Sequence, residues 1–155
     1  MYKRILIPLD GSPGAEKALP HAVTLAKQYQ AEVVLLKILK SIPQGHEMLR
    51  ASIKSAEKVL GPISDRYLEN IAHGIKECGI PVEVVAYEGD PRVEIVRSSA
   101  TNQVDLIIMV MSGRSWLKRC LLGNIADSVM CNTNIPVLLV PADKEKIHRS
   151  WGWSL

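Results

Sequence analysis

Two glycines and three cationic side chains lie close together in the stretch VMSGRSWLKRCLLGN, residues 110–124. Gly113 and Gly123 enclose nine residues, and glycine permits positive φ and close approach of a backbone to a ligand. A helix that begins near Gly123 would add free amides and the positive end of its dipole, both of which favour a phosphate. Arg114, Lys118 and Arg119 add positive charge. These features predict a phosphate-binding loop, although a solvated connecting loop has a similar composition.

The common nucleotide and catalytic motifs are missing from this sequence. It holds neither GxxxxGK[ST] nor a GxGxxG after the first apolar segment, which excludes the Walker-type loop and the dinucleotide fingerprint. A response regulator needs an acidic pocket at the end of the first strand, an aspartate at the end of the third and a lysine after the fifth. Only Asp10 fits this pattern. A GxSxG elbow is absent, and no histidine has a nearby nucleophile or carboxylate in a catalytic pattern. We therefore expect the histidines to be surface residues: His21, His46, His73 and His148.

Five short apolar segments, rich in β-branched residues, predict the strands that would position this loop. Their apolar character is nearly continuous and does not alternate, as is typical of parallel strands covered on both faces. The segments are residues 4–9, 32–39, 82–87, 104–111 and 136–141.

Four helical patterns separate the predicted strands. The first covers residues 15–29, and the second covers 45–78 with an interruption at Gly61 and Pro62, since proline removes a backbone donor. Gly79 is suited to end the second helix. Asp90 and Pro91 suit the N-cap and first position of the third. The fourth places six apolar residues on one face and ends near residues 132–134: Leu121, Leu122, Ile125, Ala126, Val129 and Met130.

This alternation predicts an α/β fold, a three-layer α/β/α sandwich around a five-stranded parallel, Rossmann-like sheet. Ligands of such folds bind beyond the carboxyl ends of the strands, where strand order reverses. We expect one domain over residues 1–142. The following tail, residues 143–155, is interpreted as frayed or, alternatively, as a docking arm.

Charge and composition exclude several classes of function. The net charge is +3 with mixed signs along the chain, which does not indicate nucleic-acid binding. No run approaches the 18 apolar residues of a membrane span, and the N-terminal apolar run is too short for a signal peptide. The cysteines, Cys78, Cys120 and Cys131, show no CxxC spacing. They are expected to be buried free thiols in a reducing compartment, so we predict a cytoplasmic protein.

Several segments together resemble the universal stress protein family over nearly the whole chain. They are KRILIPLDGSPGAEKAL, GDPRVEIV, VDLIIM, SGRSWLKRCLLGNIADSVM and IPVLLVP. The resemblance implies strand order 3-2-1-4-5 and a homodimer formed through the last strand. It also implies one of two branches, of which one binds ATP and the other does not.

The ATP-binding branch carries a loop of the form Gly, two residues, Gly, nine residues, Gly, then Ser or Thr. On this sequence the second and third glycines match Gly113 and Gly123, while Val110 replaces the first glycine and Asn124 the hydroxyl residue. Trp116 stands where small residues are common and is expected to cover the loop or stack on a ligand. The nucleotide-binding residues that the resemblance implies are Pro8, Asp10, Ile38, Met109, Val110, Gly113, Arg114, Gly123, Asn124 and Ile125.

The change at Val110 bears directly on nucleotide binding. A β-branched residue at positive φ would cost about 1–3 kcal/mol, and its methyl groups would otherwise stand where ribose is expected. A loss of about 3 kcal/mol weakens binding roughly a hundredfold. Asn124 is a milder change because its amide can still donate to a phosphate oxygen.

These observations favour a universal stress protein that binds ATP with Mg²⁺ as a regulatory ligand. Asp10 is a possible metal ligand through the nucleotide, yet we find no second carboxylate or water-positioning base, so at most weak ATPase activity is expected. The alternative is a nucleotide-independent dimer that acts through protein partners. An enzyme on the same fold is a third interpretation, without a catalytic constellation to support it.

Overall fold

The computed structural model describes residues 1–39, 63–111 and 125–142, which build a five-stranded parallel sheet with helices on both faces. The strands are β1 (Arg4–Leu9), β2 (Glu32–Leu39), β3 (Val82–Glu88), β4 (Leu106–Met111) and β5 (Val137–Pro141). Their order across the sheet is β3-β2-β1-β4-β5, and every neighbouring pair is parallel. The predicted fold class and strand order are confirmed.

In the described part of the chain, four α-helices cover the sheet, two on each face. They are α1 (Ala18–Tyr29), α2 (Ile63–Glu77), α3 (Pro91–Thr101) and α4 (Ile125–Asn132). On the first face, Ile5, Ile7, Leu35 and Ile108 pack against α1 and α2. On the second, Leu6, Val34, Leu36 and Ile107 pack against α3 and α4. Successive strand residues thus alternate between two apolar layers, which explains why the strand segments are apolar almost throughout.

The helix ends follow local backbone chemistry. The first helix begins with a 3₁₀ turn, Ala15–Lys17, before α1, so the predicted start holds while its first turn is tighter than an α-helix. Asp90 caps α3 as predicted, its carboxylate accepting from the Arg92 amide at 2.9 Å, with Pro91 in the first turn. After α2, Gly79 has φ +77° and donates its amide to a Lys76 carbonyl at 2.8 Å.

Two predictions about buried faces are corrected. Ala126 and Val129 of α4 are buried, but Ile125 and Met130 are 39% and 41% exposed. Adjacent residues on a helix are about 100° apart, so a stripe centred on residues 126 and 129 leaves 125 and 130 at its margins. Of the cysteines, Cys131 is exposed and Cys78 is half-buried, and both are free thiols.

Strand β4 also begins later than predicted, at Leu106 instead of residue 104. Asp105 accepts hydrogen bonds from the Lys3 and Arg4 amides at 2.7 and 3.2 Å, and its own amide donates to the Arg4 carbonyl at 3.0 Å.

The two described histidines, His21 and His73, are exposed, as expected.

Several predictions fall on residues outside the described ranges. They are the second helix before Ile63 with its interruption at Gly61 and Pro62, the loop residues Gly113, Arg114, Trp116, Gly123 and Asn124, the residues Cys120, His46 and His148, and the tail 143–155. Within the described ranges, no helix has the length and apolar character required to cross a membrane.

Candidate functional site

The strand order reverses at β1, which lies between β2 and β4. The chain proceeds from β1 to β2 and β3 on one side, then crosses to β4 and β5 on the other. Such a switch point leaves a crevice at the carboxyl ends of the two central strands. The described candidate residues come together along this carboxyl edge. They are Pro8 and Asp10 at the end of β1, Ile38 on β2, Met109 and Val110 on β4, and Ile125 at the start of α4.

Pro8 explains why the hydrogen-bonded pairing of β1 with β4 ends early at this edge. The Lys3 carbonyl accepts from Glu32 on the β2 side, and the Arg4 carbonyl accepts from Asp105 on the β4 side. Successive residues of a strand direct their N–H and C=O groups to opposite neighbouring strands. The backbone groups of even-numbered β1 residues therefore face β4, and Pro8 has no N–H to donate there. The β1–β4 ladder pairs only Ile5 with Leu106 and Leu6 with Ile107, whereas the β1–β2 ladder continues to the last residue of β1.

The apolar candidates at this edge lie on opposite faces of the sheet. Ile38 and Met109 pack with the cluster under α3 and α4, and Pro8 follows Leu6 on that same face by strand alternation. Val110 instead packs against the cluster under α1 and α2. The phosphate-loop candidates lie between β4 and α4 in the chain, outside the described residues.

Val110 is an ordinary strand residue. It pairs in register with Val140 of β5, and among the described residues the non-glycine positions with positive φ are Gln30 and Gln103. The backbone strain considered for a valine at this position is therefore not present in the fold. Its side chain is half-buried among apolar neighbours, on the face opposite Met109.

The carboxylate of Asp10 is held by the loop that follows β1. It accepts the Ser12 amide at 2.8 Å, and Gly11 between them has φ +85° with open space where a side chain would lie, so glycine serves backbone conformation here. Partial burial opposes ionisation, but hydrogen bonds from Ser12 and from its own amide, with the charge of Lys37, lower the pKa of Asp10. The exposed Asp10 side chain is thus an anion at neutral pH.

Three residues that sequence reasoning missed surround this loop. Tyr67 on α2 donates its hydroxyl to Glu16 Oε1 at 3.0 Å, and Lys37 Nζ lies 5.8 Å from the Tyr67 ring centroid. Glu16 is a second carboxylate at this edge that was not predicted from the sequence, and it is engaged by the phenol. Residues 16 and 67 are far apart in the chain, so no spacing rule signals their contact.

The described carboxylates could hold Mg²⁺ only together with a bound ligand that supplies further oxygen atoms. Within residues 1–39, 63–111 and 125–142, no group of three or more His, Cys, Asp or Glu side chains could hold a metal ion. Mg²⁺ is commonly held by one or two carboxylates together with substrate phosphates and water. Asp10 provides one such ionised carboxylate at the crevice, which fits that pattern.

Comparison with known proteins gives consistent matches over the whole domain. The model of the universal stress protein family matches residues 1–141. Universal stress protein MJ0531 of Methanocaldococcus jannaschii is 32% identical over 146 residues, covering 94% of this chain and 86% of the relative. The solved structure of the protein MJ0577 superposes with a TM-score of 0.75 at 31% identity, covering 94% of this chain and 99% of that one.

Two more distant solved structures of the same fold hold adenine nucleotides. A universal stress protein in complex with cAMP has a TM-score of 0.67 at 20% identity, covering 92% of this chain and 98% of that one. A protein from Arabidopsis thaliana with AMP bound has a TM-score of 0.67 at 13% identity, covering 96% and 97%. At these identities the likeness concerns the fold.

Proposed function

This chain belongs to the universal stress protein family, and on that premise we propose that it binds an adenine nucleotide, ATP with Mg²⁺, in the crevice between β1 and β4. The observation that carries the proposal is the early end of the β1–β4 ladder at Leu6 and Ile107, on the strand that leads to an ionised Asp10. Family members of this fold with cAMP or AMP bound support it.

The crevice offers the contacts that such a ligand needs. Ile38 and Met109 lie on the face under α3 and α4, where we expect them to form an apolar wall for the adenine ring. Asp10 can accept ribose hydroxyls or hold Mg²⁺ beside phosphates. The remaining proposed contacts, Gly113, Arg114, Gly123 and Asn124, supply amides and positive charge for the phosphates.

Val110 is compatible with binding on that face. Its side chain packs under α1 and α2, away from the wall formed by Met109, so we expect little steric cost to the ligand. In Val110→Gly, the Mg-ATP Kd should change by less than about threefold, while stability falls by about 2 kcal/mol through lost packing and strand entropy. Calorimetry and urea unfolding measure the two effects. A tenfold gain in affinity would instead show that the valine blocks the site.

Calorimetric titration with Mg-ATP tests the proposal directly. The protein as purified is also denatured and its supernatant run on ion-exchange chromatography to detect co-purified nucleotide. Asp10→Asn should weaken the Mg-ATP Kd about tenfold or more, since interactions of charged groups are worth about 1.5–3 kcal/mol. Glu69→Gln, which removes a charge from an exposed site on α2, serves as the control. Absence of both co-purified nucleotide and millimolar binding would reject the proposal.

The nucleotide acts in this proposal as a regulatory ligand in the cytoplasm. The second carboxylate at the edge, Glu16, already accepts a hydrogen bond from Tyr67 at Oε1, and no catalytic role is assigned to it, so we expect hydrolysis to be weak at most. The free thiols of Cys78 and Cys131 suit a reducing compartment. Steady phosphate release that is lost in Asp10→Asn would require an enzymatic function instead.

We further propose that the chain forms a homodimer through β5. This strand ends the sheet of described strands, and Leu138 on it and Met130 on the adjoining α4 are 37% and 41% exposed. Such an edge is a template for pairing with a second strand. Sedimentation analysis should give a dimer, and Leu138→Lys should shift it to monomer. A dimer without nucleotide binding would favour the alternative in which the protein acts through protein partners.

A further inference from the structure

Tyr67 connects α2 to the loop that carries Asp10. Its hydroxyl donates to Glu16 Oε1 at 3.0 Å, and Glu16 lies in the 3₁₀ turn Ala15–Lys17. The ring packs at the margin of the cluster under α1 and α2, with Lys37 Nζ 5.8 Å from its centroid. The half-buried side chain of Tyr67 therefore connects α2 to the site loop and to a residue near the end of β2.

The loop has its own internal hydrogen bonds. Ser12 donates its amide to Asp10, and the Ala15 amide reaches the Ser12 carbonyl and hydroxyl at 3.1 and 3.2 Å. The Lys17 amide donates to the Gly14 carbonyl at 3.3 Å. These bonds determine the internal shape of the loop, because donor and acceptor both belong to it. The bond from Tyr67 to Glu16 is different in kind, since it joins the loop to a separate helix.

We propose that Tyr67 is a positioning residue for the nucleotide pocket, acting through Glu16 to hold the Asp10 loop at the sheet edge. The placement of α2 and the affinity for nucleotide are thereby coupled. This inference rests on the proposed function, yet the position of the loop can be measured without nucleotide.

The phenol is suited to a permanent donor role. Burial, the hydrogen bond to Glu16, and the negative charges of Glu16 and Asp10 all raise the pKa of Tyr67 well above 10. The hydroxyl therefore keeps its proton throughout the physiological range. The hydroxyl is thus the donor of the bond, and Glu16 Oε1 is its acceptor.

Tyr67→Phe is the central test, because it removes the hydroxyl and keeps the ring. Its Mg-ATP Kd should be about three- to tenfold weaker, the range given by loss of one hydrogen bond. Tyr29→Phe is the matched control, since Tyr29 is also half-buried and its ring contacts Tyr2 edge-on at 5.4 Å. Glu16→Gln keeps an acceptor and should stay within about twofold of wild type, whereas Glu16→Ala should match Tyr67→Phe. The double variant, Tyr67→Phe with Glu16→Ala, should bind no more weakly than either single variant.

Amide hydrogen exchange in the nucleotide-free protein provides the independent readout. Exchange at Ala15 and Lys17 should be about three- to tenfold faster in Tyr67→Phe and unchanged in Tyr29→Phe. If wild type binds no nucleotide, the proposed function fails, and exchange alone decides whether Tyr67 positions the loop. Unchanged exchange overturns the positioning role. Faster exchange with an unchanged Kd in a nucleotide-binding wild type overturns the coupling to the pocket.

Discussion

At the amino edge of the sheet, charged side chains connect four strands, whereas at the carboxyl edge the hydrogen-bonded pairing of β1 with β4 ends early. Arg4 on β1 pairs with Glu32 of β2, where Nε lies 3.4 Å from the carboxylate, and with Glu83 of β3. On its other side, Asp105 before β4 accepts from the Lys3 and Arg4 amides. At the opposite edge Pro8 has no amide hydrogen to offer β4.

The difference lies in what connects neighbouring strands at each edge. Ion pairs and hydrogen bonds of Arg4 and Asp105 connect β3, β2, β1 and the start of β4 at the amino edge, whereas the β1–β4 ladder pairs no residue of β1 beyond Leu6. The polar groups of the carboxyl edge, such as those of Asp10 and Ser12, satisfy one another locally. In the proposed function, a ligand at this edge would not have to break a β1–β4 hydrogen bond beyond Leu6 and Ile107.

The largest predicted effect comes from breaking the amino edge. Arg4→Met leaves the Glu32 and Glu83 carboxylates without their cation, and the free energy of unfolding should fall by about 2 kcal/mol, measured by urea denaturation. The affinity for Mg-ATP should not change, since the crevice lies at the other edge. Lys3→Met makes the same change in charge at an exposed side chain and should have little effect. Equal losses in the two variants would contradict the structural role of Arg4.

The next effect concerns the backbone of the Asp10 loop. Gly11→Ala places a side chain at φ +85° and should cost about 1–2 kcal/mol in unfolding free energy. Gly14→Ala is the matched control in the same loop, because Gly14 has φ −64° and ψ −44°. That variant should be neutral or more stable by up to about 1 kcal/mol. Indistinguishable melting curves for the two variants would show that the left-handed turn is not required.

A smaller effect is expected from extending the β1–β4 ladder. Pro8→Val restores an N–H directed at β4, and partial closure of the crevice should weaken the Mg-ATP Kd about fivefold, equivalent to about 1 kcal/mol. Stability should change by less than about 1 kcal/mol, because the added hydrogen bond offsets the entropy that proline had removed. Pro136→Val, at an exposed position before β5, is the control. Unaltered affinity in Pro8→Val would separate the ladder end from binding.

The smallest effect is in the pH dependence of the α3 cap at the carboxyl edge. Side-chain and backbone hydrogen bonds from Arg92 lower the pKa of Asp90 from 3.8 to about 2. Because the folded pKa is depressed, this stabilisation is present above about pH 4 and is lost as the pH falls towards 2. In an NMR titration, Arg92→Ala should raise the pKa of Asp90 towards 3.8, and Arg97→Ala should not. A value near 3.8 in wild type would contradict the pairing.

Much of the scaffold could be predicted because its signals are local. The apolar segments mark strands buried on both faces, and Asp90 followed by Pro91 marks a helix start from adjacent residues alone. The side-chain direction of Val110 was also accessible. Side chains alternate along a strand, so Val110 lies on the same face as Ile108. Comparison with the glycine loop of the ATP-binding branch instead draws attention to the size of the valine side chain.

The polar network around the site could not be predicted from the sequence. Contact between Tyr67 and Glu16 depends on the rotation and tilt of α2 over the sheet, which are set by packing of residues such as Leu68 and Ala72 against β-strand side chains. Lys37 near the end of an apolar strand suggests only a side chain reaching solvent. The sequence pattern of neither α2 nor β2 indicates that Tyr67 and Lys37 meet beside the loop of Asp10.

Pro8 has a further consequence for the thermodynamics of recognition. Because Pro8 has no N–H, the hydrogen bond that would extend the β1–β4 ladder at that position cannot form. If nucleotide binds here as we propose, no β1–β4 hydrogen bond at Pro8 has to break first. The affinity of the proposed site should then not be reduced by a population of molecules in which that bond is closed.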